Sequence, residues 1–178
     1  MTETKDNITA ADVDAVLSEH TPEEALGHTF SLAEHEDTID RTFNGETVEE
    51  IISRLEREPQ SGLVKRALAA LAAASPTSLA VAHRQIRTGG QLNSLAEVGK
   101  LSCNPNDRLV AWRVQVLQME HRLVLRCCQD KDFYEGVRAT LVDRDNSPAW
   151  QPASLQQVTQ DRLDWYFSSL GAEELQFE

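Results

Sequence analysis

The stretch DFYEGVRATLVDRDNSPAW, residues 132–150, decides how the chain is read. Asp132-x-x-Glu135 is a capping-box pattern with Asp in place of Ser or Thr, so a helix is expected to open there. Phe133, Val137, Thr140 and Leu141 fall at helical spacing and define its inner face. Asp143-Arg144-Asp145 and Asn146 then make a charged turn. Pro148 and Pro152 hold the next piece extended. Trp150, between those prolines, is expected to anchor the extended arm on the body of the protein.

Working outward, nearly every segment carries the period of a helix. On the N-terminal side, Thr9 is expected to cap a short helix with Val13, Val16 and Leu17 on one face. Ser31-x-x-Glu34 is a capping box preceded by Phe30 in the staple position. Asn44-Gly45 closes a helix, and Thr47-x-x-Glu50 opens the next, with Val48, Ile51, Ile52 and Leu55 at spacings of three and four. Ser61 to Ala74 is rich in Ala and Leu, the strongest helix formers. Pro76 suits a first helical turn, which predicts a helix to about Arg87, stopped by Gly89-Gly90. Another is expected from Ser94. Asn104-Pro105-Asn106-Asp107 signals a turn, and helical spacing returns from about Leu109. A last helix is expected from Leu155 to Leu170, with Leu163, Tyr166, Phe167 and Leu170 inward and Gly171 as its stop. Alternating β-branched runs are missing, so the predicted fold class is all-α.

Composition narrows the functions. The 178 residues are one domain's worth, with 40% hydrophobic and 26% charged residues, as in an ordinary globular protein. The net charge of −12 argues against direct contact with nucleic acid, which takes a basic surface. The apolar run Leu68–Ala74 is too short for a bilayer. The acidic opening Met1–Asp6 reads as neither a signal nor a transit peptide. Cys103, Cys127 and Cys128 make no disulfide framework and fit a reducing compartment. The five histidines are scattered, with no metal-ligand spacing and no cofactor motif.

In order along the chain, from about Asn7, several stretches together resemble the C-terminal half of the 3-hydroxyisobutyryl-CoA hydrolases, a branch of the crotonase (enoyl-CoA hydratase/isomerase) superfamily. They are Thr47–Ile52, Ser75–Leu79 with Arg84–Arg87, Leu95–Val98 with Leu117–Leu123, the opening block continued by Trp150–Ala153, and the tail Phe167–Gly171 with Leu175–Phe177. Each is weak alone; their ordered sum is specific. The resemblance implies that residues 1–178 are the helical C-terminal region of a crotonase-like fold, without its β-rich core. It also implies an insertion at 99–116, either a genuine loop or a retained intron, between segments that run together in the family.

The implied reaction is hydrolysis of a 3-hydroxyacyl-CoA thioester in valine catabolism, in the mitochondrial matrix, or in the cytoplasm of a bacterium. In the family, backbone N–H groups hold the thioester oxyanion, and a glutamate with a nearby aspartate handles water and protons. Those groups sit on Gly-rich and Pro-Glu loops of the core. This chain has no Gly-rich cradle, and Pro22-Glu23-Glu24 has too little chain before it to aim an oxyanion hole. No catalytic residue is therefore assigned, and the chain alone is expected to be inactive. An acyl-CoA is the implied ligand, with no metal and no cofactor.

Two residues of the block are candidate substrate contacts. Arg144 suits a CoA phosphate, because a guanidinium matches phosphate oxygens, although the family usually has Lys there; the competing expectation is a local ion pair with Asp143 and Asp145. Tyr134 could line an acyl or pantetheine channel, with plain packing as the competing account. Arg138 is expected to pair with Glu135 on the helix surface. Glu120 and His121 are adjacent on a helix and point apart, so they are not read as an acid–base pair. Ser75 and Ser78 read as helix-start residues. The alternative function is a non-catalytic interaction module, since some relatives are components of the mitochondrial small ribosomal subunit. Self-association through apolar helix faces left uncovered is also expected.

Overall fold

The computed structural model describes residues 15–17, 19, 32–98 and 105–176, those between 92 and 113 by their backbone alone. The chain divides into two compact units, Met1–Ile39 and Asp40–Glu178. In the first, residues 15–17 are helical and a 3-10 turn at Ala33–His35 leads into α1 (Glu36–Phe43). The expected caps at Thr9 and Ser31 lie outside the described residues.

The second unit holds α2 (Val48–Arg57), α3 (Gly62–Ala73), α4 (Pro76–Val98), α5 (Pro105–Gln129), α6 (Lys131–Val137) and α7 (Gln160–Phe167). No strand occurs among the described residues, so the all-α reading holds there. Polar side chains start these helices where the sequence places them. Thr47 Oγ1 accepts the Glu50 N–H at 3.1 Å, and Glu50 reaches back to the Glu46 N–H at 2.8 Å. Ser61 caps α3 through Val64 N–H, and Ser75 caps α4 through Ser78 N–H. Each such cap satisfies a donor that the helix leaves free and stabilises it by about 1 kcal/mol.

Two small cores result. Ile51, Leu55 and Val64 close the α2–α3 hairpin, with Ala67, Leu68 and Leu71 packed around them. Val81, Met119, Leu123 and Tyr166 join α4, α5 and α7, with Cys127, Leu163 and Phe167 against them. Arg84 lies 4.5 Å over the Phe167 ring while it pairs with Asp164 at 2.6 Å. The turn before α2 is fastened to α4: the Gly45 carbonyl accepts from His83 at 3.0 Å and from Arg87 at 3.4 Å. A Cβ on Gly45 would come within 2.9 Å of Ile51 Cγ1, so this close approach needs glycine. The tail is tied to α5, where Arg122 binds Glu174 at 2.6 Å and Gln118 donates to the Leu175 carbonyl at 3.0 Å.

Three boundaries differ from expectation. Gly89-Gly90 does not stop a helix; α4 continues to Val98 and contains Ser94. Neither glycine takes the positive φ that a helix terminus uses, so each only weakens the helix, by about 1 kcal/mol relative to Ala. α5 starts at Pro105, not near Leu109, because proline is well suited to a first helical position. The Leu155–Leu170 helix is split. Leu155–Gln157 is a 3-10 turn, Val158 and Thr159 are extended, and Thr159 caps α7 through the Arg162 N–H. Gly171 has a φ of 63° but opens a further 3-10 turn.

Candidate functional site

The block at 132–150 is built from α6, a π-helical turn at Arg138–Val142 and the extended arm. The N-cap is Asp130, whose carboxylate faces the Asp132 N–H; Asp132 is already inside the helix. The wide turn is closed by Asp143 N–H on the Arg138 carbonyl at 2.8 Å and by Asn146 N–H on the Ala139 carbonyl at 3.0 Å. π-turns are uncommon and concentrate at functional sites. Arg144 and Asn146 follow with φ of 57° and 50°, a left-handed conformation that costs a side-chain-bearing residue energy.

Arg138 holds this geometry. Its guanidinium binds Glu135 at 2.8 and 2.9 Å, Asp143 at 2.6 Å, Asp145 at 2.7 Å and the Ser147 carbonyl at 3.2 Å. The expected Glu135 pair is present, but it is one part of a larger hub. Arg138 and then the Ala149 N–H hold the Glu135 carboxyl down at about 2. Arg138 and the Ser147 N–H likewise lower Asp145.

The arm is fixed at successive residues. The Trp150 indole donates to the Ala73 carbonyl at 3.0 Å, so the anchor expected at this position is present. Its ring lies so close to α6 that a Cβ on Gly136 would stand 3.2 Å from Trp150 Cη2. The Gln151 N–H donates to one oxygen of buried Asp132 at 2.9 Å; the other oxygen accepts from Ser75 Oγ at 2.6 Å. Asp130, also buried, accepts from Arg162 at 2.6 Å and from the Tyr166 hydroxyl. Burial, and then this bond to Asp130, push the Tyr166 phenol well above its usual range. Sequence reasoning took Asp132 for the cap and missed Asp130 and the buried contacts of both. Their signal was the Asp-x-Asp pair where two helices meet, since buried carboxylates need partners of this kind.

An open cleft of about 500 Å³ lies against α6, lined by Ser75, Cys127, Phe133, Val137, Leu141, Trp150 and Tyr166 among others. Burial raises the Cys127 thiol there. The inner face expected from spacing is thus largely this cleft wall, and Phe133 and Leu141 remain 48% and 65% exposed. Tyr134 and Arg144 do not line the cleft and are not brought together. The Tyr134 hydroxyl donates to the Cys128 carbonyl at 2.8 Å, its ring meets Phe133 edge-on, and the side chain is otherwise exposed. Arg144 is exposed, with one long bond of 3.5 Å to the Leu141 carbonyl and no carboxylate partner among the described residues. His121 binds the Glu173 carbonyl, apart from Glu120. Pro22-Glu23-Glu24 lies outside the described residues. Among the described residues no three His, Cys, Asp or Glu side chains group as metal ligands. No helix there is long and apolar enough to cross a membrane. Chemically, the block offers an apolar cleft, a buried carboxylate pair and one exposed guanidinium.

The model of the enoyl-CoA hydratase/isomerase family matches residues 1–167, and the chain belongs to that family. The particular relatives it is similar to are mitochondrial 3-hydroxyisobutyryl-CoA hydrolases. It is 41% identical to that of Xenopus laevis over 146 residues, which is 82% of this chain and 33% of the relative. It is 39% identical to that of Homo sapiens over 149 residues, 84% of this chain and 33% of the relative. The chain therefore spans about a third of the length of these relatives. Among solved structures, it is similar to a carnitinyl-CoA dehydratase from Mycobacterium thermoresistibile. That match has a TM-score of 0.68 and 30% identity, and covers 95% of this chain and 42% of the other. An enoyl-CoA hydratase from Rhodobacter sphaeroides matches with a TM-score of 0.67 and 27% identity, covering 96% of this chain and 46% of the other.

Proposed function

We propose that this chain is the helical part of a 3-hydroxyisobutyryl-CoA hydrolase, serving hydrolysis of a 3-hydroxyacyl-CoA thioester in valine breakdown in the mitochondrial matrix. The observation that carries this reading is the 41% identity to a hydrolase over most of this chain but only 33% of the relative. Arg144 is the phosphate contact, and Tyr134 is a wall of the acyl or pantetheine channel. Residues 99–116 are an insertion into the family's helical region. The oxyanion donors and the general base belong to the part of the relatives that this chain does not span. Its 178 residues alone are therefore inactive.

The test has two arms. The purified chain is incubated with 3-hydroxyisobutyryl-CoA; turnover well above buffer overturns the inactivity. The chain is then grafted into the human relative in place of the matching third. Retained hydrolysis supports the reading, and a folded but inactive graft counts against it.

A further inference from the structure

Arg144 stands between two aspartates and pairs with neither. In an isolated turn its guanidinium would fold back on the carboxylates of Asp143 and Asp145, the nearest opposite charges in sequence. Here Oδ2 of each carboxylate is already held by Arg138 Nη1, at 2.6 and 2.7 Å, and Asp145 Oδ1 accepts from the Ser147 N–H at 2.8 Å. Arg138 Nη2 binds Glu135 and the Ser147 carbonyl, and Arg138 Nε binds Glu135 again, so every N–H of the fork has a partner. Only arginine has this reach: a lysine ammonium is a point charge and cannot span the same set in one plane. With its neighbours engaged by Arg138 and its backbone at a φ of 57°, the exposed Arg144 keeps only the long Nε contact to the Leu141 carbonyl.

We infer that Arg138 is a positioning residue: by holding Asp143 and Asp145 it keeps the Arg144 guanidinium unpaired and available to a phosphate-bearing ligand. The ligand half rests on the proposed role of Arg144 toward CoA; the sequestration half does not. A bare guanidinium edge binds phosphate oxygens through paired charge-assisted bonds, whereas one already paired to a carboxylate has lost that edge. Arg138 touches no substrate in this scheme and acts through Arg144.

Arginine-selective ¹⁵N NMR of the 178-residue chain tests the sequestration without any ligand. In the wild type, Arg138 is expected to give slowly rotating, resolved Nη signals, and Arg144 averaged ones. In Arg138→Gln, the Arg144 signals are expected to slow and shift as it captures a carboxylate. They return to averaged ones when Asp143→Asn and Asp145→Asn are added. A merely structural role for Arg138 would not produce that return, because the added changes remove still more contacts from the turn. Where Arg138→Gln melts the turn, Arg138→Lys replaces it and gives the same change at Arg144. Arg144 signals that stay averaged in a folded Arg138 variant overturn the proposal.

Titration with coenzyme A reads the consequence. Arg144→Gln and Arg138→Gln are each expected to weaken binding by about tenfold, the loss of one charge-assisted contact. The triple variant regains affinity relative to Arg138→Gln. The aspartate pair changed with Arg138 intact gives the baseline for the altered field. Loss on Arg144→Gln with none on Arg138→Gln overturns the role of Arg138 and keeps that of Arg144. No loss on Arg144→Gln overturns the CoA reading, and the NMR result then decides the sequestration alone.

Discussion

The α2–α3 hairpin and the block at 132–150 are stabilised in opposite ways. In the hairpin, Leu55 and Val64 are essentially excluded from water and form the closing contact, while Thr47 and Ser61 cap the helix starts. In the block, the apolar side chains Phe133, Leu141 and Val142 stay exposed, and carboxylates and one arginine fix the backbone. Burial is non-directional and tolerates small shifts, whereas a fork of charge-assisted bonds sets a particular turn geometry. Hydrophobic closure therefore builds scaffold here, and polar closure builds shape.

The sharpest way to break the contrast is Leu55→Ala. Leu55 has no exposed surface, so the substitution is expected to cost about 3 kcal/mol, measured by urea unfolding. A loss near zero would mean that the hairpin core is not closed. Gly136→Val comes next. Its branched side chain would push on the Trp150 ring and is expected to cost about 2 kcal/mol, with a change in tryptophan fluorescence as the arm lifts. Unchanged emission and stability would show that the ring has room. Leu141→Ala should move stability by less than about 0.5 kcal/mol despite removing as much side chain as Leu55→Ala, because Leu141 is already exposed.

The smallest effect is a slope. Glu135 is held at about 2 from an ordinary 4.5, so the folded state favours its charged form. Its contribution is complete above about 4.5 and fades as the pH falls toward about 2. Thermal unfolding across that range should therefore show a shallower acid loss in Glu135→Gln than in the wild type. Equal slopes would mean that the hub does not form in solution.

What could be read from sequence follows the same division. Thr47 and the spacing of Ile51 and Leu55 declared α2, and the Ala- and Leu-rich run from Ser61 declared α3, because caps, periodicity and propensity act over one or two turns. Glu135 with Arg138 was legible for the same local reason, and Trp150 as anchor was legible from the prolines around it although its partner Ala73 is remote in sequence. Gly89-Gly90 misled because glycine is only permissive, and what surrounds it decides whether a helix ends. Asp130 displaced Asp132 as cap because Asp132 is engaged with Ser75 and Gln151, partners remote in sequence. The candidate site was less legible than the fold. Arg144 and Tyr134 were picked by residue type, whereas the role of Arg138 depends on a π-turn and two left-handed residues that local periodicity does not encode.

The junction between α3 and α4 carries a consequence for folding order. Trp150 reaches the Ala73 carbonyl and Gln151 reaches Asp132, which in turn holds Ser75, so the arm closes on helices formed much earlier in the chain. Contacts that span so much sequence carry a large loop-closure cost and form late. The arm should dock last and open first, as a unit separate from the two helical cores. The amides of Ala149 and Gln151, each given to a carboxylate of α6, would report that opening by exchanging with solvent together and sooner than those of α2.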